Sequence, residues 1–373
     1  MPKIDNLGNV LIRSDLNVPI KNGEISDNYR ILKSVEIVND IIDKSRTITF
    51  VSHMGRPDGK DLKLSLRPVA QKMSEILDKE VNFLEENYGE KVEKQVKKSE
   101  SKIFLLENLR FEKGEVGNDK NFSKQITKPF DSYIFDAFGA AHREHASVVS
   151  FGENLESFQG PLMDKEINEL DKLLKNNENG YSVLLGGAKI SDKLNLIEKL
   201  LPKVENLMVG GGMCFTLLKA LGYEIGRSLL EESFISKAEE LLNSDNGHKI
   251  ILPTDFGVTD SMDSSDRVNI KFSDIKNYHI GIDIGPKTVA EFEKILNKSK
   301  NIFWNGPMGI FEKEAFSYGT RKITEAISKL SGYTFIGGGD SVSAINKFSD
   351  KKNFNHISTG GGASLEYLEG KKL

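Results

Sequence analysis

The chain has 373 residues, 38% of them hydrophobic and 28% charged, which is too long for one compact core and suits two globular domains. A formal charge of −4 excludes a general attraction to nucleic acid or an anionic membrane, so any basic surface must be local. A single cysteine, Cys214, excludes an intrachain disulfide and fits a reducing compartment.

The N-terminal stretch "MPKIDNLGNVLIRSDLNVP" lacks the basic-then-apolar layout of a signal peptide. No apolar run reaches the length of a membrane span. The expectation is a soluble, cytoplasmic protein. In the first half, short apolar runs occur at "VLIRSDL", "TITFVSH", "VNFL", "KIFLLEN" and "YIFDAF". In the second half they occur at "SVLLGG", "NLMVGG", "KIILPTDF", "NIFWNG", "TFIGGG" and "HISTGG". Runs of this length separated by helix-length segments predict buried parallel strands with crossover helices. Ile190, Leu194, Ile197, Leu201 and Val204 step by helical spacing and predict one apolar stripe. The charged stretch "NYGEKVEKQVKKSESK" reads as a solvated helix and turn. "LESFQGPLMDKEINELDKLLKNNENG" interrupts the alternation as a helix between turn residues. It predicts a connector between two α/β halves.

Three GGG turns and one GG turn follow apolar runs of the second half: Gly186–Gly187, Gly210–Gly212, Gly337–Gly339 and Gly360–Gly362. Helix N-termini at the carboxyl ends of parallel strands offer free amides and a positive dipole end, which suits phosphate. Glycine lets such a ligand approach the backbone. The plainer alternative is that these glycines only make tight turns. Neither GxxxxGK[ST] nor GxGxxG is present, so a nucleotide would bind by another design. Lys189 and Lys193 in "GGAKISDK" are spaced to share one helical face. Two cations at a positive helix end make sense if an anion lies between them. "WNGPMGIFE" adds Asn305, Pro307 and Glu312, a rigid turn with polar groups that could hold a ribose or base.

The first half carries cations at its predicted strand ends: Arg13, Arg30, His53, Arg56, Arg110, His142, Arg143 and His145. Arginine forks bind phosphate and carboxylate bidentately, so the cluster points to an anion pocket. The histidines fit either a ligand or a structural role. Asp15 and Asn17 could orient a hydroxyl, or simply shape the turn before Pro19.

At these residues the chain resembles the phosphoglycerate kinase family. "RSDLNVP", "SHMGRP", "LLENLRFEKGE", "DAFGAAHREHAS", "GGAKISDK", "VGGGM", "DIGPKT", "WNGPMGIFE", "GGGDS" and "STGGGASLE" follow in the family's order over nearly the whole chain. The resemblance implies two Rossmann-like, three-layer α/β domains with parallel sheets: residues 1–160 for 3-phosphoglycerate, a hinge helix at 161–178, and residues 179–373 for the nucleotide. It implies reversible phosphoryl transfer between 1,3-bisphosphoglycerate with ADP and 3-phosphoglycerate with ATP, in a monomer using Mg²⁺. By position, Asp15, Asn17, Arg30, His53, Arg56, Arg110 and Arg143 would bind the acid. Gly186, Lys193, Gly210, Gly211, Asn305, Pro307, Glu312, Gly337, Gly338, Gly339, Asp340 and Ser341 would bind the nucleotide, with Asp340 reaching the Mg²⁺. Arg30, Lys189, Lys193, Gly338 and Gly361 would act on the phosphoryl group in transit. Departures are Ser14, Leu16 and Phe135, where the family often has valine, phenylalanine and asparagine, and the end at "GKKL". None removes a charged contact. A solute-binding protein that closes without chemistry, and a kinase-like protein without activity, are the other classes; ATP formation from 1,3-bisphosphoglycerate and ADP separates them.

Overall fold

A computed structural model describes residues 6–21, 23–175 and 180–371. The chain divides into two compact units, Met1–Asn168 and Glu169–Leu373. The last residues of the predicted hinge helix, 176–178, lie outside the described residues.

The first unit is built on a six-stranded sheet. Its order is Val81–Leu84, Ile103–Leu106, Ser45–Val51, Gly8–Ser14, Ser132–Asp136, Glu156–Gln159. All of these pairs are parallel. Alternate side chains of one strand enter two different cores, as the period of two requires. Val10 and Ile12 pack with Ile31, Val69 and Met73, while Leu11 packs with Val96, Phe122 and Ile126. Helices therefore cover both faces, which gives three layers. The chain runs outward from Gly8–Ser14 first on one side and then on the other. That makes its end a topological switch point, where ligands of open sheets bind.

The second unit repeats the plan. Its six-stranded sheet runs Ile250–Ile251, Asn206–Val209, Tyr181–Leu185, Asn301–Asn305, Tyr333–Gly337, His356–Ile357, again parallel. Tyr181–Leu185 occupies the switch point. Among the described residues no helix is long and apolar enough to cross a membrane.

The structure corrects the strand and helix readings in four places. "KIILPTDF" is two strands, not one: Ile250–Ile251 closes the parallel sheet, and Asp255–Thr259 leads a separate antiparallel sheet with Val268–Lys271 and Ile280–Ile284. The connection after Asp255–Thr259 is too short for the crossover that a parallel neighbour needs. Glu156–Gln159 is an edge strand that the connector reading passed over. The charged helix Glu90–Lys98 is not wholly solvated, because Val92 and Val96 are buried in the core. The helix expected from Ile190 begins only at Leu194. All five stripe residues are nonetheless buried, so apolar spacing located the face but not the helix start.

Asp136, at the end of its strand, caps the helix Pro161–Lys175. Its Oδ1 accepts from the amides of Leu162 at 2.8 Å and Met163 at 3.0 Å. A Cβ on Gly160 would lie 2.3 Å from that carboxyl group, so only glycine fits there. Asp136→Ala would leave two helix amides unpaired in a buried site and should cost about 1–2 kcal/mol. Urea unfolding measures this; an unchanged midpoint would show that the carboxylate does not hold the helix.

Candidate functional site

Because the first sheet is parallel, its strand ends share one edge. Asp15 and Asn17 follow Gly8–Ser14, His53 and Arg56 follow Ser45–Val51, Arg110 follows Ile103–Leu106, and Arg143 and His145 follow Ser132–Asp136. Arg30 joins them from the first turn of the helix Tyr29–Val35. Its Nη1 lies 3.1 Å from an Asp15 carboxylate oxygen and donates to the Asn17 carbonyl at 3.0 Å. Asn17 Oδ1 accepts from the Gly55 amide at 3.0 Å, and Arg110 donates to the Gly55 carbonyl at 2.5 Å. The glycine turn of "SHMGRP" is thus tied to two neighbouring strand ends.

Positive charge accumulates here. Arg110 is pushed down to about 10 by burial first and then by Arg13, Arg143 and Arg56, against the pull of Glu115. Burial, followed by Arg110, Arg13, Arg143 and His142, brings His145 down to about 4. At 3.7 Å from Glu115 and neutral, His145 makes a polar contact there rather than an ion pair. Arg56 and Arg143 form no ion pair among the described residues. Cations that raise one another's energy in a partly buried site need an anion.

Sequence reasoning missed the residues that hold this cluster. Asn108 receives the Met54 amide at 3.1 Å and donates to the carbonyls of Met54 and Leu64 at 2.8 and 2.9 Å. Glu107 accepts from Ser65, Leu66 and Asn108 at 2.8–2.9 Å. Glu115 is wholly buried. All three stand inside "LLENLRFEKGE", but nothing in their spacing marks them as internal.

In the second unit the glycines separate into two kinds. Gly186 and Gly211 pack against backbone and Gly210 against a side chain: a Cβ on them would meet Pro307 O at 2.0 Å, Gly187 O at 2.5 Å and Met308 Sδ at 2.6 Å respectively. The Gly187 amide bonds to Pro307 O at 3.0 Å and the Gly211 amide to Met308 O at 2.9 Å. For these three, the tight-turn reading accounts for the residue type. Gly339, Gly361 and Gly362 face open space. Gly338 and Gly361 have φ of 88° and 54° and precede the helices Gly339–Phe348 and Gly362–Leu368. Backbone that a ligand can approach is therefore at these later turns and at Gly187, where φ is 116° and a Cβ would likewise meet nothing within 4 Å.

Lys193 is not on a helical face. It is the residue that precedes the helix Leu194–Leu200, and Lys189 lies on the exposed loop before it. The i, i+4 argument thus fails, because the glycine turn runs on in an irregular loop until Lys193. Lys193 donates to Asn305 Oδ1, whose amide nitrogen is buried without a partner. Gly337 and Gly338 abut that amide, with a Cβ at 3.1 and 3.0 Å respectively. Ser341 Oγ accepts from the Gly306 amide at 2.7 Å, locking the "WNGP" turn. Burial brings Lys193 down to about 8, opposed by Asp192, Asp340 and Glu369. Asp340 is exposed in the first helical turn. Glu312 is exposed, and its carbonyl accepts from Lys347 at 3.0 Å. Clusters of three metal-ligating side chains do not occur among the described residues. Asp340 is an exposed carboxylate beside the open backbone of Gly339. One carboxylate fits a hard cation that arrives with phosphate oxygens, and the open amides fit the phosphate itself.

The model of the phosphoglycerate kinase family matches residues 5–371. A phosphoglycerate kinase of Dictyoglomus turgidum is 46% identical over 369 residues, covering 98% of this chain and 93% of that one. One of Thermosipho africanus is 45% identical over 375 residues, covering 98% and 93%. The solved phosphoglycerate kinase of Coxiella burnetii superposes with a TM-score of 0.84 at 35% identity, covering 99% and 95%. That of Pyrococcus horikoshii gives 0.86 at 30% identity, with the same coverage.

A lysine at about 8 in the fold and 10.5 when free gives up its proton on folding between those values. It takes the proton back if a phosphate binds. Stability from this group is lowest below pH about 8 and rises toward 10.5. Ligand binding runs the opposite way, so nucleotide affinity should weaken above pH about 8 with measurable proton uptake. Calorimetry in buffers of different ionisation heat checks this. Uptake that persists in Lys193→Met would assign the proton elsewhere.

Proposed function

Because the chain belongs to the phosphoglycerate kinase family, we propose that its first unit holds 3-phosphoglycerate or 1,3-bisphosphoglycerate and its second unit holds ADP or ATP. The family activity is a glycolytic phosphoryl transfer with a carboxyl group as acceptor, and ATP or ADP is a substrate. The observation that carries the assignment of the two halves is the crowd of arginines at the first switch point, where burial first and then neighbouring arginines bring Arg110 down to about 10. A desolvated lysine after the switch-point strand, and open glycine turns before the helices Gly339–Phe348 and Gly362–Leu368, support the nucleotide half.

A carboxylate acceptor has an unperturbed pKa near ~4 and is ionised at neutral pH, so the transfer needs no general base. The chain's task is to position two anions and offset their repulsion. Asp15, Asn17, His53, Arg56, Arg110 and Arg143 bind and orient the acid. Gly186, Gly210, Gly211, Asn305, Pro307, Glu312, Gly337, Gly339 and Ser341 shape the nucleotide half. Arg30, Lys189, Lys193 and the amides at Gly338 and Gly361 stabilise the phosphoryl group midway. Mg²⁺ would neutralise charge on the nucleotide phosphates, held by Asp340. Because acid and nucleotide are assigned to different units, transfer requires the units to close about the helix Pro161–Lys175, which also excludes water. The same reading makes the protein a cytoplasmic monomer with no nucleic-acid or membrane partner.

ATP formation from 1,3-bisphosphoglycerate and ADP tests the activity, and two variants test the residue roles. Arg30→Ala removes a cation whose distinctive contact is with the transition state. It should lower kcat by roughly two to four decades with little change in KM. Near-normal kcat with a raised KM for 3-phosphoglycerate would make Arg30 a binding residue instead. Asp340→Ala should weaken Mg-ADP more than metal-free ADP in calorimetry. Equal weakening of the two would end the metal role.

A further inference from the structure

Arg13 follows the pattern of a ligand-binding arginine in sequence, yet it is 1% exposed. A guanidinium sealed from water must be paired, or its burial is prohibitively costly. Its compensation comes through a hydroxyl. Arg13 Nε donates to Ser147 Oγ at 2.9 Å, and Ser147 Oγ donates to Glu115 Oε1 at 2.6 Å. The Ser147 amide donates to the other Glu115 oxygen at 2.9 Å. Ser147 and Glu115 are both fully buried. A hydroxyl has one proton, so this chain of bonds has a single direction: Glu115 accepts, Ser147 relays, Arg13 donates.

The far end of the guanidinium sets a second group. Arg13 Nη2 lies 2.9 Å from His53 Nδ1. Arginine has donors only and stays protonated. Nδ1 must therefore present its lone pair, and the ring proton must sit on Nε2. Nε2 makes no hydrogen bond among the described residues.

We infer that Glu115, Ser147 and Arg13 form a buried relay that positions His53 and fixes it as the neutral Nε2–H tautomer, so that His53 offers the acid substrate a directed hydrogen-bond donor rather than a charge. The step from His53 to substrate rests on the acid-site reading above; the tautomer does not. The surroundings agree. Groups facing His53 from other elements are Arg13 on Gly8–Ser14, Arg110 on Leu109–Phe111, Arg30 on Tyr29–Val35, and His145 after Ser132–Asp136. Burial first, then these groups, hold its pKa well below the usual value. A neutral donor adds recognition without worsening the repulsion among the arginines. Arg13 is thus a positioning residue, as are Ser147 and Glu115.

The test is nitrogen-15 spectroscopy of the histidine rings in the whole protein, with His53 assigned by its loss in His53→Gln. His53 should show an unprotonated Nδ1 and a protonated Nε2, unchanged from about pH 8 to 6. A protonated Nδ1, or titration in that window, overturns the relay without any variant. Addition of 3-phosphoglycerate should move the Nε2 resonance. If the tautomer is as stated but Nε2 does not respond, the substrate role given to His53 falls while the relay stands. Ser147→Ala should mix the tautomers and raise KM for 3-phosphoglycerate about tenfold, as loss of one directed hydrogen bond would, with KM for ATP unchanged. Ser147→Thr, which keeps the hydroxyl, should restore both. Equal changes in both KM values, or an unaltered His53 spectrum in Ser147→Ala, would reduce Ser147 to a structural residue.

Discussion

A parallel ladder sends all of its strands out of the sheet at the same edge, and both units depend on that constraint. In the first unit it gathers Asp15, His53, Arg110 and Arg143 from four separate stretches of chain. In the second it gathers the glycine turns after Tyr181–Leu185, Asn206–Val209, Asn301–Asn305 and Tyr333–Gly337. No side chain has to reach far, because strand register has already set its origin. The helices that cover both faces keep the ladder dry and hold that register.

The same geometry concentrates like charge, and each unit answers this differently. The first unit buries Arg13 and balances it internally through Ser147 and Glu115, and ties Arg30 to Asp15. Arg56 and Arg143 form no ion pair among the described residues. The second unit has few cations at its turns. It desolvates Lys193 against Asn305 and presents open glycine backbone. Amides carry no net charge to repel one another, so they can be crowded where ammonium groups cannot.

Glycine illustrates how one residue type meets two demands in one fold. Gly186 and Gly211 allow neighbouring turns to press backbone against backbone, and Gly210 makes room for the Met308 side chain. Gly339, Gly361 and Gly362 leave the approach to the helix N-termini open. Without the first group the turns would be forced apart. Without the second, side chains would occupy the open space before those helices.

The sequence by itself determined the two α/β halves, the strand runs, the cation-rich and glycine-rich division, and the family. Those features repeat at short range, where periodicity and motif can express them. It did not determine that Asp255–Thr259 leaves the parallel sheet, because a five-residue strand carries no mark of its partner's direction. Nor did it determine where the helix after Lys193 begins, since apolar spacing continues through the irregular loop before it. Arg13 is the clearest case. In sequence it matches Arg30, one more cation beside "DLNVP". Only the tertiary structure turns it inward, onto a serine 134 residues away that is itself bonded to a glutamate 32 residues from that serine, because burial is decided by packing between distant segments and not by the residue's neighbours in the chain.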